Sequence, residues 1–164
     1  MPNTEFGHIQ VDGEDGEEEA DEQEVGRPLC VLVVEDNLDV GRFCTQLLED
    51  LDHATVWAHN AEAALAEMER VPFRFDAVFS DVVMPGMNGV ELAREIRRRF
   101  PSLPVVLAAG DSHVLAQDDA HGFDLVRKPY SAAQVDGALR SATRRRRRAR
   151  ALGIHAGDEL MTTS

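Results

Sequence analysis

Four side chains whose types suit phosphoryl chemistry stand just after apolar runs of the sequence. Glu35 and Asp36 follow one such run, Asp81 follows another, and Lys128 follows the last with one residue between. Carboxylates that lie together repel one another, and a hard divalent cation such as Mg²⁺ relieves that repulsion through oxygen ligands. A carboxylate can also attack phosphorus, while a metal and an ammonium group stabilise the transferring phosphoryl group. Together, these residue types indicate metal-assisted phosphoryl transfer, provided that the fold brings them together.

Lys128 also stands out by composition. It is the only lysine of the chain, whereas 16 positions carry arginine. A compact ammonium group suits a tight phosphoryl site better than a planar guanidinium group does. The composition therefore favours a specific role for this one lysine.

The elements that must position these residues are indicated by alternating patterns. Short, nearly continuous apolar runs are typical of parallel strands that are covered on both faces, and they occur at residues 29–34, 54–58, 75–80, 103–108 and 123–126. Helix-start signals lie between or after them at Asn37, Asn60, Asn88 with Glu91, and Ser131 with Gln134. This order predicts an α/β fold of the (βα)₅ type, a doubly wound parallel five-stranded sheet. Right-handed crossovers then place the ligand site at the carboxyl ends of the strands.

Residues outside this edge are predicted to be structural. Val40, Phe43, Leu47 and Leu51 share a stripe of the first helix, which should face the core. Cys30 and Cys44 are expected to be small core residues. The six histidines show no metal-ligand spacing and are expected at the surface.

Charge divides the chain into three parts. Residues 1–28 hold ten acidic residues and one basic residue, and they are expected to form an acidic disordered tail. Residues 29–143 form the predicted domain. Residues 144–164 hold six arginines, and we expect an arginine-rich extension of the last helix followed by a flexible tail. Three candidates could supply the counter-charge for these arginines: nucleic acid, an acidic partner and the acidic tail itself. The net charge of −13 makes nucleic acid the weakest of them.

Several protein classes are excluded by what the sequence lacks. No apolar run reaches the 18 or so residues of a membrane span, and the first residues do not form a secretion signal. Two cysteines make neither a disulfide framework nor a structural zinc site. We therefore expect a cytoplasmic protein without a membrane partner.

Three motifs carry a resemblance to a known family. VLVVEDN at 31–37, SDVVMPGMNG at 80–89 and RKPY at 127–130 resemble, in this order, the signature of response-regulator receiver domains of two-component signalling. The resemblance covers about 29–143 and is closest to receivers of the stand-alone or hybrid-kinase-associated type. It implies a flavodoxin-like sheet with strand order 2-1-3-4-5.

The resemblance also implies a role for each matching residue. Asp81 is the expected phosphoacceptor, and Lys128 is expected to pair with the phosphoryl group. Glu35, Asp36, Asp81 and the backbone carbonyl of Val83 are expected to hold Mg²⁺. The expected phosphoryl donor is a histidine kinase or a histidine phosphotransfer protein. A receiver is not an enzyme with a separate substrate, although it promotes its own phosphorylation and dephosphorylation.

Two positions depart from the family pattern. Ala109 stands where receivers usually carry Thr or Ser, and Leu125 stands where they usually carry Tyr or Phe. Both parts of the usual conformational switch are therefore missing. Ser112, three residues after Ala109, could supply a substitute hydroxyl.

We therefore expect a phospho-accepting receiver that acts as a shuttle, a sink or a protein-binding regulator. We also expect it to lack an output domain, because 21 residues follow residue 143. One alternative is a constitutive receiver-like scaffold that binds protein partners, and a weaker one is nucleic-acid binding through the arginine run. A haloacid-dehalogenase type of phosphatase is disfavoured, because the stretch that begins at Asp81 lacks the second aspartate which that chemistry uses.

Overall fold

The sheet has five parallel strands. The structure, a computed structural model, describes residues 26–110 and 122–153. The strands are β1 Cys30–Val34, β2 Ala54–Ala58, β3 Ala77–Asp81, β4 Val105–Ala109 and β5 Asp124–Arg127. They pair in the order β2-β1-β3-β4-β5, which confirms the predicted doubly wound sheet.

Four helices are described: α1 Leu38–Asp50, α2 Ala61–Arg70, α3 Gly89–Arg99 and α4 Ala132–Ala151. Each begins after a residue whose side chain accepts a hydrogen bond from a backbone N–H of the first turn, namely Asn37, Asn60, Asn88 and Ser131. The segment between β4 and β5, where the predicted (βα)₅ order requires a further helix, falls outside the described residues, as do residues 1–25 and 154–164. No helix in the described part of the chain is both long enough and apolar enough to cross a membrane.

The helices cover the two faces of the sheet in pairs. On one face, α1 and α4 pack on the sheet around Val31, Val33, Leu48, Phe79 and Leu139. On the other face, α2 and α3 pack on it around Leu32, Val78, Met68, Leu92 and Leu107. Because both faces of the central strands are buried, their sequences are nearly continuous apolar runs.

The face of α1 that packs on the sheet differs from the predicted stripe. Gly41, Cys44 and Leu48 are buried, whereas Phe43 is 57% exposed and the other members of the stripe are only partly buried. The reason is the close approach of the indole of Trp57 on β2 to the backbone of α1, since a Cβ atom on Gly41 would lie 2.0 Å from a ring carbon. The helix is therefore rotated so that its smallest residue meets the largest side chain of the sheet.

This contact predicts opposite effects for two Gly-to-Ala changes. Gly41→Ala would force the Trp57 indole to move, and we expect the free energy of unfolding to fall by about 1–3 kcal/mol. Gly137→Ala is the matched control, because Gly137 is exposed within α4 and nothing lies within 4 Å of its added Cβ. That change should raise the free energy of unfolding by roughly 0.5–1 kcal/mol. Urea denaturation measures both, and equal effects at the two positions would contradict the close packing of Gly41 against Trp57.

One histidine is a structural residue rather than a surface residue. His53 is 3% exposed, so the expectation that all six histidines lie at the surface is wrong for it. Its Nδ1 accepts a hydrogen bond from the N–H of Leu29 at 2.9 Å, and its Nε2 lies 2.7 Å from Oδ1 of Asp136 on α4. Since Nδ1 is an acceptor, Nε2 carries the proton and donates it to Asp136. His53 therefore links the start of β1 to α4.

Candidate functional site

Three carboxylates meet at the carboxyl edge of the sheet. Asp81 is the last residue of β3, and Glu35 and Asp36 follow the neighbouring strand β1. Each residue offers a carboxylate oxygen, and these three oxygens lie within 4.8 Å of one another. The parallel pairing of β1 with β3 brings the residues together, because adjacent strands end at the same edge.

Lys128 reaches the same cluster from the far side of β4. Its Nζ lies 2.8 Å from Oδ1 of Asp81. Its backbone N–H donates to the carbonyl of Ala109, which continues the pairing of β4 with the segment after β5. Two residues later, the ring of Tyr130 packs edge-to-face on Phe79 of β3, with ring centroids 5.6 Å apart. These contacts hold the segment that carries Lys128 beside the carboxylates.

Burial intensifies the electrostatics of the cluster. Glu35 is 6% exposed and Asp81 is 9% exposed, whereas Asp36 is open to solvent. Burial raises the pKa of Glu35 to about 7; the charge of Asp81 contributes to the rise, and a hydrogen bond from the N–H of Asn37 opposes it. The described cluster thus holds three carboxylates against the one ammonium group of Lys128.

The donor set fits a hard divalent cation. All three side chains offer oxygen atoms, and Mg²⁺ is usually held by one or two carboxylates together with waters and a substrate phosphate. The exposure of Asp36 leaves one side of the cluster open to solvent. Val83 follows two residues after Asp81 and is 66% exposed, and the role of its backbone carbonyl stays a prediction.

Two residues that the sequence reasoning did not single out support Asp81. Gly89, the first residue of α3, donates its N–H to the carbonyl of Val82, and a Cβ atom there would lie 2.1 Å from the Asp81 carbonyl oxygen. Only glycine allows this close approach of α3 to the end of β3. Ser80 is fully buried, and its hydroxyl donates to the same Asp81 oxygen at 2.9 Å. The glycine after Asn88 was the sequence signal that could have indicated this contact.

Trp57 on β2 also helps to position Glu35. Its Nε1–H donates to the backbone carbonyl of Glu35 at 2.9 Å. The N–H of Glu35 in turn donates to the carbonyl of Ala58, at the end of β2. These bonds fix the backbone of Glu35, so that its carboxylate is held at the edge of the cluster.

Ala109 and Leu125, the two positions that depart from the family pattern, are apolar residues that pack in or against the core. Ala109 ends β4 and is 1% exposed. Leu125 lies in β5, pairs with Leu107 and packs partly buried against the core on the face of α2 and α3. Ser112 lies outside the described residues. In the described part of the chain, therefore, neither position offers a hydroxyl group or an aromatic ring beside the cluster.

Comparisons with known proteins show the family to which this sequence is similar. Residues 31–140 match the family model of the response regulator receiver domain. The chain is 32% identical over 123 residues to TcrX of Mycobacterium tuberculosis, a probable transcriptional regulatory protein. The aligned region covers 73% of this chain and 52% of TcrX. It is 30% identical over 110 residues to the nitrogen assimilation regulatory protein NtrX of Azorhizobium caulinodans, covering 64% of this chain and 24% of that protein. The chain thus spans about half of TcrX and about a quarter of NtrX.

Solved structures show the same fold. A response regulator receiver domain protein of Clostridium thermocellum is 25% identical and superposes with a TM-score of 0.65, over 73% of this chain and 97% of that one. NtrX of Brucella abortus is 26% identical with a TM-score of 0.68, over 77% of this chain and 29% of that one. In the second case the similarity covers only one part of a longer protein.

Proposed function

The chain belongs to the response regulator receiver family, and on that premise we propose that it accepts a phosphoryl group on Asp81 from a phosphohistidine. The proposed donor is a histidine kinase or a histidine phosphotransfer protein. One observation carries the proposal: Nζ of Lys128 lies 2.8 Å from the buried Asp81 carboxylate, within a cluster of three carboxylates. This arrangement combines a nucleophile, a cationic group and a set of metal ligands.

In the proposed reaction an oxygen of Asp81 attacks the phosphorus atom. The new bond joins that oxygen to phosphorus, and the phosphorus–nitrogen bond of the donor breaks with its electron pair left on the imidazole. Lys128 stabilises the negative charge on the oxygens of the transferring group. Glu35, Asp36 and Asp81 are the residues that would hold Mg²⁺, which when bound supplies further positive charge at the phosphoryl oxygens. Hydrolysis by water later returns Asp81 to the free carboxylate.

Exposed apolar side chains beside the site support a protein as the donor. Leu38 directly follows Asn37 after the acidic pair and is 57% exposed, and Val83 is 66% exposed two residues after Asp81. Apolar side chains of this size at a site rim suit a protein surface better than a small phosphate donor.

The buried Ala109 and the aliphatic Leu125 favour a shuttle or a sink over a regulator that changes shape. A shuttle passes the phosphoryl group on and needs only the acceptor site, whereas a conformational switch needs a group that responds to the new charge. Neither of these side chains can hydrogen-bond to a phosphoryl group. We therefore propose that phosphorylation produces small structural changes in β4 and β5.

The requirement for Mg²⁺ gives the first test of this function. The protein is incubated with acetyl phosphate, with Mg²⁺ or with EDTA, and its intact mass is measured. We expect a single added phosphoryl group with Mg²⁺ and none with EDTA, because without the metal only the Lys128 ammonium group offsets the repulsion between the three carboxylates and an incoming phosphate. If the folded protein gains no phosphoryl group either from acetyl phosphate or from a panel of phosphorylated histidine kinases, the proposal is wrong.

A further inference from the structure

A second charged site lies at the opposite edge of the sheet. A cavity of about 280 Å³ lies between the end of α3, the starts of β4 and β5, and the second half of α4. Four guanidinium groups line it, from Arg97, Arg145, Arg146 and Arg150, and we call this site the arginine pocket. The strands begin at this edge and end at the carboxylate cluster, so the two sites lie at opposite ends of the sheet.

The positive charge of the arginine pocket is only partly compensated. Asp124 is the one acidic residue among the described residues that line it, and it pairs with Arg145. Arg97 stacks on the ring of Phe123 at 4.1 Å and donates to a backbone carbonyl, which fixes it without neutralising it. The pocket therefore carries an excess of three positive charges.

Arg146 has a buried hydrogen-bond donor without a partner among the described residues, and it lies near other positive charges. Its Nη1 donates to the backbone carbonyl of Asp76 at 3.2 Å, but its Nε is buried without a hydrogen-bond partner among the described residues. Burial lowers the pKa of Arg146, and the nearby charges of Arg150 and Arg147 lower it further, whereas the charge of Asp76 opposes this effect. A buried donor next to like charges is stabilised by an anion that supplies both an acceptor and a negative charge.

Arg27, the second of the described residues, lies beside α4. The carbonyl of Arg27 accepts a hydrogen bond at 2.9 Å from Nη1 of Arg140, which lies on α4 five residues before Arg145. Along a helix five residues rise only about 7.5 Å and turn by about 140° beyond one full turn, so a segment tethered at Arg27 reaches the pocket by passing around α4. Residues 12–24 hold nine acidic residues and no basic one, and only Val25 and Gly26 separate them from Arg27. Covalent linkage over so few residues gives the acidic segment an effective concentration in the millimolar range at α4.

We propose that the arginine pocket binds carboxylates of residues 12–24 of the same chain. This acidic segment lies outside the described residues, and two observations support its binding: the excess positive charge of the pocket and the position of Arg27 beside α4. A tethered segment of opposite charge has an advantage over an external polyanion, because its binding is intramolecular. An external polyanion then reaches these arginines only by displacing the acidic segment.

The test compares forms of the full chain that differ in charge. E17Q/E18Q/E19Q neutralises part of the acidic segment, and D50N/D52N/E62Q neutralises an equal number of exposed acids that do not line the pocket. The probe is a fluorescein-labelled single-stranded oligonucleotide of about 12 nucleotides at about 50 mM salt, where phosphate–arginine contacts are strong. Fluorescence anisotropy gives the affinity of each form.

We expect E17Q/E18Q/E19Q to bind the oligonucleotide about tenfold more tightly than the wild type, through release of the tethered competitor. The control should change the affinity by less than about threefold, as a general charge effect. Adding Arg150→Gln, an exposed residue of the pocket, should reduce the gain. Equal gains in the two neutralised forms, an unchanged affinity in all of them, or tight binding by the wild type would each overturn the proposal. The last result would identify nucleic acid as the ligand.

A second measurement does not depend on an added ligand. In ¹⁵N-labelled full chain, the Nε–H signals of Arg97, Arg145, Arg146 and Arg150 should differ between the wild type and E17Q/E18Q/E19Q. At about 1 M salt, where screening acts within about 3 Å, these differences should vanish. If the arginine signals are the same in both forms at low salt, the acidic segment does not bind there.

Discussion

Asp81→Asn is expected to abolish phosphoryl uptake while the protein stays folded. An amide oxygen is a far weaker nucleophile towards phosphorus than a carboxylate, and the amide removes one of the three charges that would hold Mg²⁺. We expect the rate of uptake from acetyl phosphate to fall by at least about 10³-fold. Intact-mass measurement over time gives the rate, and circular dichroism reports whether the fold is kept.

Asp50→Asn is the matched control for this change. Asp50 is an exposed residue at the end of α1, where it accepts a hydrogen bond from Gln46, and an asparagine oxygen can replace that acceptor. The control should take up the phosphoryl group at the wild-type rate. Retained uptake in Asp81→Asn would show that another residue is the acceptor. A partner that binds wild type and Asp81→Asn equally, with or without Mg²⁺, would favour the constitutive scaffold.

Lys128→Gln is expected to slow phosphoryl uptake by about 10²–10³-fold, the usual effect of removing one group that stabilises transition-state charge. The ammonium group contacts the Asp81 carboxylate at 2.8 Å, and no other cation in the described part of the chain is paired with that carboxylate. Glutamine keeps a hydrogen-bond donor of similar reach but removes the charge. Uptake from acetyl phosphate at saturating Mg²⁺ measures the effect.

Arg127→Gln is the matched control, since it removes one positive charge at the adjacent residue. Arg127 is exposed at the end of β5 and takes no part in the carboxylate cluster. We expect its uptake rate to stay within about threefold of the wild type, as screening at physiological salt predicts for an exposed charge. Equal slowing in the two variants would mean that net charge, and not the contact with Asp81, controls the reaction.

The strands and helix starts could be predicted because their signals are local. The run before Glu35 contains only apolar residues, so it indicates a strand without knowledge of its neighbours. Asn88 and Glu91 form the predicted capping box, with each side chain bonded to the backbone of the other. Likewise, topology alone determines the edge of the sheet at which a residue lies when it follows the carboxyl end of a parallel strand.

Other features could not be predicted because they depend on contacts between distant parts of the chain. The rotation of α1 follows from the approach of Trp57 to Gly41, which only the folded packing reveals. His53 is buried because Leu29 and Asp136 lie on either side of its ring. Similarly, the charge of the arginine run was evident in the sequence, whereas its convergence with Arg97 on α3 was not.

We claim that Asp81 itself carries the phosphoryl group, and chemical mapping of the modified residue decides whether it does. The protein is treated with acetyl phosphate and Mg²⁺, then with borohydride, which reduces an acyl phosphate to an alcohol and so marks the modified aspartate as homoserine. Peptide mass spectrometry locates the mark. We predict a mark at Asp81 alone, and only when Mg²⁺ is present. A mark at Glu35, at Asp36 or at a carboxylate outside the cluster, with Asp81 unmodified, would contradict the claim.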